Sequence, residues 1–402
     1  MTRTRVLPEN YSPTCPSPDS NSNGFSTAPQ ALGASILAAA MALPGINAAH
    51  AEIAPEHGSI SLKYMDYRES QPGLNRITSH SPSIMLVAPI AGVWAIEGSL
   101  TSDDVSGASP RYHTAITGAS KMADVRNAGD VRVTRYFPNG TLSAGAAYST
   151  EHDYVSRAVS FQGSVSTEDK NRTWTFGVGS ASDSISPVNG VVVNESKKTV
   201  DLLAGVTQVL GKDDIAQVNL THVRGRGYFS DPYKLLDNRP RDRNQTTLLA
   251  RWNHHFTATE GTGRFSYRYY TDTYQIKAHT FGAEYVQPLS QGWVITPSAR
   301  VYSQSAASFY VDPVYDARFG APFPPNFNFA ANDYITEDQR LSAFGALTFG
   351  VKVAKRIDTD WLLDLKLERY EQRANWRLFG NGSPGLDPLR ATIVQLGITR
   401  QW

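Results

Sequence analysis

The last eleven residues, 392–402, constrain the fold more than any other stretch of the chain. Val394, Leu396, Ile398 and Trp402 occupy even-numbered positions, and polar or small residues lie between them. A period of two is typical of a β-strand with one apolar and one polar face. A terminal tryptophan on such a strand is a liability in a soluble sandwich, whereas in an outer-membrane barrel lipid covers the apolar face and an aromatic residue lies at the interface. The pattern therefore favours a membrane barrel.

The same alternation recurs along the chain and predicts about sixteen strands, with an uncertainty of about two. No apolar run approaches the ~18 residues that a helical span requires. In chain order, the short turns fall on one side, near Pro89, Asn139, Asp169, Gly211, Glu260, Ser290 and Asp358. The prediction is an all-β fold, a transmembrane antiparallel up-and-down β-barrel with short periplasmic turns and long outer loops.

Six tryptophans test this arrangement independently. Each lies where an outward strand begins or a returning strand ends, which places all six at the periplasmic end. Barrels carry girdles of aromatic residues at the membrane interfaces. The sequence therefore predicts a periplasmic aromatic girdle of Trp94, Trp174, Trp252, Trp293, Trp361 and Trp402.

The N-terminal segment, residues 1–51, is predicted to be a cleavable signal peptide. Residues 31–43 form a short apolar stretch, and Ala49-His50-Ala51 offers a cleavage site of small residues. A disordered tail is the alternative. Residues 52–402 would then form one barrel domain in the bacterial outer membrane, without Cys15, the only cysteine. The net charge of +1 gives no indication of a nucleic-acid partner.

Polar side chains on the inward face are the candidate functional residues. Five arginines, Arg251, Arg264, Arg268, Arg300 and Arg340, are expected on neighbouring strands and could select solutes as charged rings do in channels. The alternative is a salt-bridge network that braces the wall. The full set of expected lumen-lining residues is Arg126, Asp130, Arg132, Arg251, Arg264, Arg268, Asp272, Glu284, Arg300, Gln304, Arg340, Asp364, Lys366 and Glu368.

Weaker candidates come from loops. Residues 309–337 could fold into the lumen as a constriction or plug, or lie on the surface. Asp103-Asp104 could bind a hard cation or belong to an ordinary turn. His152 lies near Asp153 and Ser149, a combination seen in hydrolases, although such short-range coincidences are common. His254-His255 would point to opposite faces of a strand and so would not chelate one metal.

Several stretches together resemble an uncharacterised proteobacterial outer-membrane family, domain of unknown function number thirty-five seventy. They include Tyr67-Arg68-Glu69, Thr134-Arg135-Tyr136-Phe137, Ser266-Tyr267-Arg268-Tyr269-Tyr270-Thr271-Asp272, Arg300-Val301-Tyr302-Ser303-Gln304 and Arg340-Leu341-Ser342-Ala343-Phe344-Gly345. The resemblance covers nearly all of residues 52–402. It implies a Gram-negative outer-membrane barrel and brings no established activity.

The expected function is a porin-like channel or translocation pore for small polar solutes. The alternative is a plugged barrel that serves as a scaffold or docking partner for other cell-envelope proteins. Outer-membrane lipid is an expected partner in either case. No enzymatic activity and no cofactor are expected, because the sequence has no phosphate-binding loop and no cysteine-based metal motif.

Overall fold

The computed structural model describes residues 53–108, 121–234, 236–312, 328 and 333–402. Sixteen strands form one closed antiparallel barrel, and two short strands, β10 and β15, pair with each other outside it. The strands are β1 Ser59–Gln71, β2 Leu74–Ile90, β3 Trp94–Ala108, β4 Lys121–Phe137, β5 Gly140–Thr150, β6 Tyr154–Ser166, β7 Arg172–Ile185, β8 Glu195–Val209, β9 Asp214–Gly227, β10 Asp237–Asn238, β11 Asp242–Phe256, β12 Gly261–Asp272, β13 Lys277–Pro288, β14 Trp293–Gln304, β15 Ile335–Thr336, β16 Phe344–Arg356, β17 Trp361–Arg373 and β18 Leu389–Gln401.

The C-terminal strand closes the barrel. β18 pairs with β1 in a continuous register that runs from Ser59 opposite Gln401 to Ser70 opposite Arg390. Beyond the strand, the backbones of Gly58 and Trp402 exchange two hydrogen bonds of 3.1 Å. Closure leaves no unpaired sheet edge, which a membrane-spanning sheet requires. The predictions of a closed up-and-down barrel and of about sixteen strands are confirmed.

The two ends of the barrel differ in the length of their connections. At one end, called here the short-turn end, all seven connections are two to five residues long. At the other, the long-loop end, residues 305–343 separate β14 from β16, and residues 374–388 separate β17 from β18. Three connections at the long-loop end are also short, namely 72–73, 151–153 and 273–276.

The outer surface is apolar because large hydrophobic side chains share one set of alternating positions. Phe161 on β6, Val178 on β7 and Leu202 on β8 face each other across the ladders, and all three are exposed. Residues between them, such as Ala158 and Ala181, are buried. Such a continuous apolar wall would not remain exposed to water, so it is the face that lipid covers.

Several strand boundaries differ from those that the alternation of the sequence predicts. β3 ends later than predicted, at Ala108, and β4 begins earlier, at Lys121. The polar ends of the two strands continue their ladder beyond the apolar band. β16 begins at Phe344, so residues 338–343 are not barrel strand. Within the described residues, no helix is both long and apolar enough to cross a membrane. The predicted signal peptide, residues 1–51, lies outside the described residues and stays a prediction.

Candidate functional site

The inner wall of β12–β14 carries charged side chains that are accessible to solvent. Strand alternation points Arg268, Glu284 and Arg300 inward, opposite to the lipid-facing Phe281. All three are nevertheless exposed, and the Arg300 side chain keeps 54% of its surface accessible. Inward residues can be exposed only if the space in front of them is open. This part of the lumen is therefore accessible to water.

Many predicted lumen residues also lie on the inward face but pair with neighbours in the wall. Pairing within the wall uses charges that would otherwise act on a solute, so these residues brace the barrel as well as lining it. The pairs, each with the distance between the two paired side-chain atoms, are Arg126 with Asp103 (2.7 Å), Arg132 with Glu97 (3.8 Å), Arg300 with Glu368 (3.5 Å), Lys366 with Glu368 (3.0 Å), Asp364 with Lys352 (3.8 Å) and Arg251 with Gln217 (3.4 Å). Asp130 also accepts a hydrogen bond from Ser99. Arg264 lies on the same face, opposite Glu284 in the ladder.

Three predicted lumen residues serve the loops instead. The Asp272 carboxylate is buried and lies 2.6 Å from the Arg243 guanidinium. The Gln304 amide donates to the carbonyls of Arg340 and Ser342, at 3.0 and 2.6 Å. Arg340 itself lies in a short 3-10 turn, so its predicted place on a barrel strand was wrong. The reason is local, because the Asp338 side chain accepts from the Arg340 backbone N–H at 3.0 Å and caps that turn.

The inner wall of β6–β8 is closed to solvent, unlike that of β12–β14. Asp183 on β7 is buried, and it accepts hydrogen bonds from Tyr154 at 2.5 Å and Ser156 at 2.6 Å. Lys197 on β8 completes the group at 3.2 Å from Asp183. Sequence analysis did not single out these residues, because alternation identifies inward positions without showing which of them are covered.

Two loops at the long-loop end fold together into a compact unit, called here the loop cap, formed by residues 228–234, 236–241, 305–312 and 333–343. β10 and β15 pair within it through Asp237 opposite Thr336 and Asn238 opposite Ile335. The Thr336 N–H donates to the Phe309 carbonyl at 3.0 Å, which adds the start of the second loop. The predicted loop 309–337 is therefore in part a folded element, although residues 313–327 and 329–332 lie outside the described residues.

A buried ion network holds the loop cap together. It contains three carboxylates (Asp231, Asp237 and Asp338) and three cations (Lys234, Arg239 and Arg340), so its formal charges balance. Asp338 is the centre, with a fully buried side chain 3.1 Å from Lys234, 2.6 Å from Arg239 and 2.5 Å from Arg340. Asp231 lies 2.9 Å from Arg340, and Asp237 lies 2.7 Å from Arg239.

The pKa values of two adjacent acids of the loop cap, Glu337 and Asp338, are shifted in opposite directions. Burial opposes ionisation of Asp338, but the charges of Arg340, Lys234 and Arg239 outweigh it and hold the pKa of Asp338 well below its ordinary value. Glu337 has no such partner, and burial alone raises its pKa to about 7. Its Oε1 atom is buried without a hydrogen-bond partner. The network therefore requires an ionised Asp338, whereas ionisation of Glu337 destabilises the folded loop cap.

The loop cap is tied to neighbouring loops and to the wall. The Tyr233 hydroxyl donates to Asp153 at 2.5 Å, and the Asn189 amide donates to the Pro232 carbonyl at 3.0 Å. On its other side, Tyr274 and Leu341 pack in a buried apolar cluster that also contains Ile276 and Ala307. The cap therefore links the outer ends of strands from β5 to β16, which covers more than half of the barrel's circumference.

The His152 constellation differs from a hydrolase triad. The imidazole Nδ1 lies 3.2 Å from Asp124 Oδ1, and the side chain is mostly exposed. Among the described residues, no hydrogen bond joins His152 to Ser149 or Asp153.

Three carboxylates lie close together beside His152. The oxygen atoms of Asp124, Glu151 and Asp153 that could bind a metal ion lie within 4.8 Å of one another. Burial raises the pKa of Glu151 to about 7, and the neighbouring charge of Asp124 contributes to the same shift.

The other side chains considered as metal ligands do not point to a common position. Asp103 faces inward to Arg126, whereas the next residue, Asp104, is exposed on the outer face. His254 Nδ1 lies 2.8 Å from Asp214 Oδ1, and His255 points to the opposite face near Thr262, as strand alternation requires.

All six tryptophans of the predicted girdle lie at the short-turn end with side chains on the outer face. Cations cover three of them, with Arg135 4.9 Å from the Trp94 ring centre, Lys355 5.0 Å from that of Trp293, and Arg400 5.6 Å from that of Trp361. The others are Trp174, Trp252 and Trp402, all exposed. This placement is compatible with an interfacial girdle, whose contact with lipid stays a prediction.

Several solved structures align with most of this chain at low sequence identity. A bacterial polysaccharide outer membrane secretin is 11% identical, with a TM-score of 0.48, over 86% of this chain and 98% of its own. The siderophore receptor PirA from Pseudomonas aeruginosa is 9% identical, with a TM-score of 0.45, over 84% of this chain, which spans only 60% of the receptor. OccD3 (OpdP) from Pseudomonas aeruginosa is 9% identical, with a TM-score of 0.41, over 88% of this chain and 94% of its own.

None of the curated protein sequences matches this chain significantly. A family model described as "Protein of unknown function (DUF3570)" matches residues 33–197 and 191–391. These segments cover most of the chain, and the closed barrel with its apolar outer wall is that of an integral outer-membrane protein. The chain therefore belongs to the DUF3570 family, as the resemblance of its motifs predicted.

Proposed function

We propose that this barrel is a porin-like channel for small polar solutes, entered through the mouth that the loop cap narrows. The observation that carries the proposal is the solvent-exposed, inward-facing charge on β12–β14, from Arg268, Glu284 and Arg300. A wall that only braced the barrel would bury its charges, whereas the Arg300 side chain, although 3.5 Å from Glu368, keeps 54% of its surface accessible. Charged side chains that face inward and remain accessible to solvent are typical of the wall of an aqueous channel.

Arginines dominate the accessible wall and suggest which solutes pass. Arg251 lies on β11, Arg264 and Arg268 lie on β12, and Arg300 lies on β14, while β13 between them carries Glu284 opposite Arg264, and Glu368 pairs with Arg300. Excess positive charge in a narrow aqueous space raises the local concentration of anions. We therefore expect passage of small polar solutes with a preference for anionic ones, without cofactor or energy input.

The alternative is a plugged barrel that binds other envelope proteins, and one observation favours it. The loop cap is a folded unit with a charge-balanced ion network in which Asp237, Asp338 and Arg239 are almost fully buried, whereas a freely solvated loop would not bury charged side chains. A cap of this kind either narrows the entrance or closes it.

Proteoliposome swelling separates the two functions. Vesicles that contain the wild-type barrel would be diluted into isotonic solutions of small sugars and amino acids, and the Asp338→Asn variant would be compared to report on the cap. Swelling with the wild-type protein supports the channel. Swelling only with Asp338→Asn supports the plugged barrel. No swelling with either, in vesicles whose barrels keep the heat-sensitive gel mobility of a folded barrel, refutes the channel.

A further inference from the structure

Four arginines lie together on the outer face at the long-loop end, away from the lumen. Arg369 and Arg373 are on β17, Arg390 is on β18, and Arg68 is on β1, and all four share the outward positions of the apolar wall. Thr392 faces Arg369 on one side and Arg68 on the other. With strands about 4.8 Å apart and residues about 3.3 Å apart, the four side chains fit within about 15 Å. They are called here the rim cluster.

The rim cluster has more positive charge than its neighbours neutralise. Arg373 and Arg390 share one carboxylate, Glu371, at 2.5 and 3.3 Å. Arg68 lies 2.8 Å from Asp66. Arg369 donates to the Thr392 hydroxyl at 2.5 Å, and within the described chain no carboxylate is at salt-bridge distance from it. Four guanidinium groups therefore meet two carboxylates, and the side chains of Arg68 and Arg390 remain 69% and 48% accessible.

The height of the cluster places it at the upper edge of the membrane. Arg369 lies eight residues along β17 from Trp361. At about 3.3 Å per residue and a strand tilt of about 40°, this corresponds to about 20 Å along the membrane normal, and Arg373 lies about 10 Å higher. Outward barrel surfaces are apolar over about 25 Å. The long side chains therefore extend from the end of the apolar band into the headgroup layer.

The surface below the cluster is apolar, which favours a lipid over a soluble anion. Leu365, Leu367 and Leu396 occupy the outward positions immediately toward the membrane centre, and all are exposed. The β17–β18 loop lies against the outer wall, where the Leu378 N–H donates to Ser303 at 2.9 Å. This contact leaves Leu378 and Phe379 exposed at the same end. A ligand at this site meets guanidinium groups above and hydrocarbon surface below.

We propose that the rim cluster binds the phosphate groups of phosphorylated lipids in the outer leaflet. Guanidinium groups form paired, charge-assisted hydrogen bonds with phosphate oxygens, and Arg369 is free of the carboxylates that would compete. The acyl chains of the same lipid would lie along Leu365, Leu367 and Leu396. The long-loop end is the outward end of such barrels, so the lipid is one of the outer leaflet.

Native mass spectrometry of the full barrel in detergent tests the proposal, with diphosphoryl lipid A and its dephosphorylated form as probes. The variant Arg369→Gln/Arg373→Gln/Arg390→Gln removes three rim cations. The matched control, Arg135→Gln/Lys355→Gln/Arg400→Gln, removes three outward cations at the short-turn end. We expect at least about tenfold weaker binding of the phosphorylated probe by the rim variant, and less than about threefold for the control.

Two results would overturn the proposal. One is equal binding of the phosphorylated and dephosphorylated probes by the wild-type barrel. The other is an equal loss of binding in the rim and control variants, which would indicate a general effect of charge. If the triple variant does not fold, Arg369→Gln alone provides the test, because Arg369 donates to the Thr392 hydroxyl and, among the described residues, pairs with no carboxylate that its loss would leave unpaired.

Discussion

Asp338 is the residue on which the loop cap depends most. Its carboxylate is fully buried and lies within 3.1 Å of Lys234, Arg239 and Arg340. The substitution Asp338→Asn keeps the shape of the side chain and removes its charge. The network then holds three cations and two carboxylates, and the uncompensated positive charge surrounds a fully buried side chain.

The size of the effect follows from the cost of a buried unpaired charge. Removing one partner of a buried pair typically costs about 3–5 kcal/mol. The asparagine oxygen can still accept from the Arg340 N–H, so the lower part of this range applies. A loss of about 3 kcal/mol shifts the equilibrium between closed and open cap by roughly a hundredfold toward open. The barrel ladders do not include Asp338, so the loss should be confined to the cap.

Hydrogen exchange of the folded barrel measures this opening directly. Peptides from 228–241 and 333–343 should exchange roughly a hundredfold faster in Asp338→Asn, while peptides from β6–β8 stay unchanged. The control is Asp242→Asn, which removes a mostly exposed pair with Arg226 worth at most about 1 kcal/mol. Adding Lys234→Met to Asp338→Asn restores the charge balance and should recover part of the protection. Equal exchange in Asp338→Asn and Asp242→Asn would refute the role of the network.

Three further predictions follow from the described contacts. Ionisation of Glu337, whose pKa burial raises to about 7, costs at most about 3 kcal/mol well above that pH and nothing below its ordinary value, so Glu337→Gln should slow cap exchange at pH 8 and not at pH 5. A Cβ on Gly345 would lie 2.0 Å from the Trp376 carbonyl oxygen, so Gly345→Ala should lower the free energy of unfolding in urea by about 1–3 kcal/mol. The control Gly163→Ala, whose added Cβ would have its nearest neighbour at 3.7 Å, should not lower it. In a Trp376→Phe background, lipids brominated near the headgroup should quench tryptophan fluorescence more than lipids brominated at the bilayer centre, if the six remaining tryptophans form a girdle.

The barrel itself was predictable from the sequence because its physical cause is local. Lipid outside and water inside impose a period of two on every strand, and each strand therefore carries the pattern independently. The C-terminal strand illustrates this, since Leu396 and Ile398 proved to be lipid-facing in a ladder with β17 and β1. Boundaries were less certain where β3 and β4 become polar on both faces beyond the membrane.

The loop cap could not be predicted, because its contacts join residues about a hundred positions apart. Asp338 pairs with Arg239, and Arg340 pairs with Asp231, through the folding of two loops that no periodic pattern relates. Arg340 was therefore assigned to the wall on alternation alone. In the same way, alternation identified Asp272 as inward but could not reveal that Arg243 covers its carboxylate.

The most direct test of the proposed channel is the reversal potential of single barrels in a planar bilayer under a salt gradient. The wild-type barrel should conduct steadily with a preference for anions, because Arg268 and Arg300 project into open lumen. Arg268→Gln/Arg300→Gln should move the reversal potential toward cation preference at similar conductance, while the lipid-facing Arg135→Gln should leave it unchanged. An unchanged reversal potential in the double variant, or no conductance from folded wild-type barrels, would contradict the account.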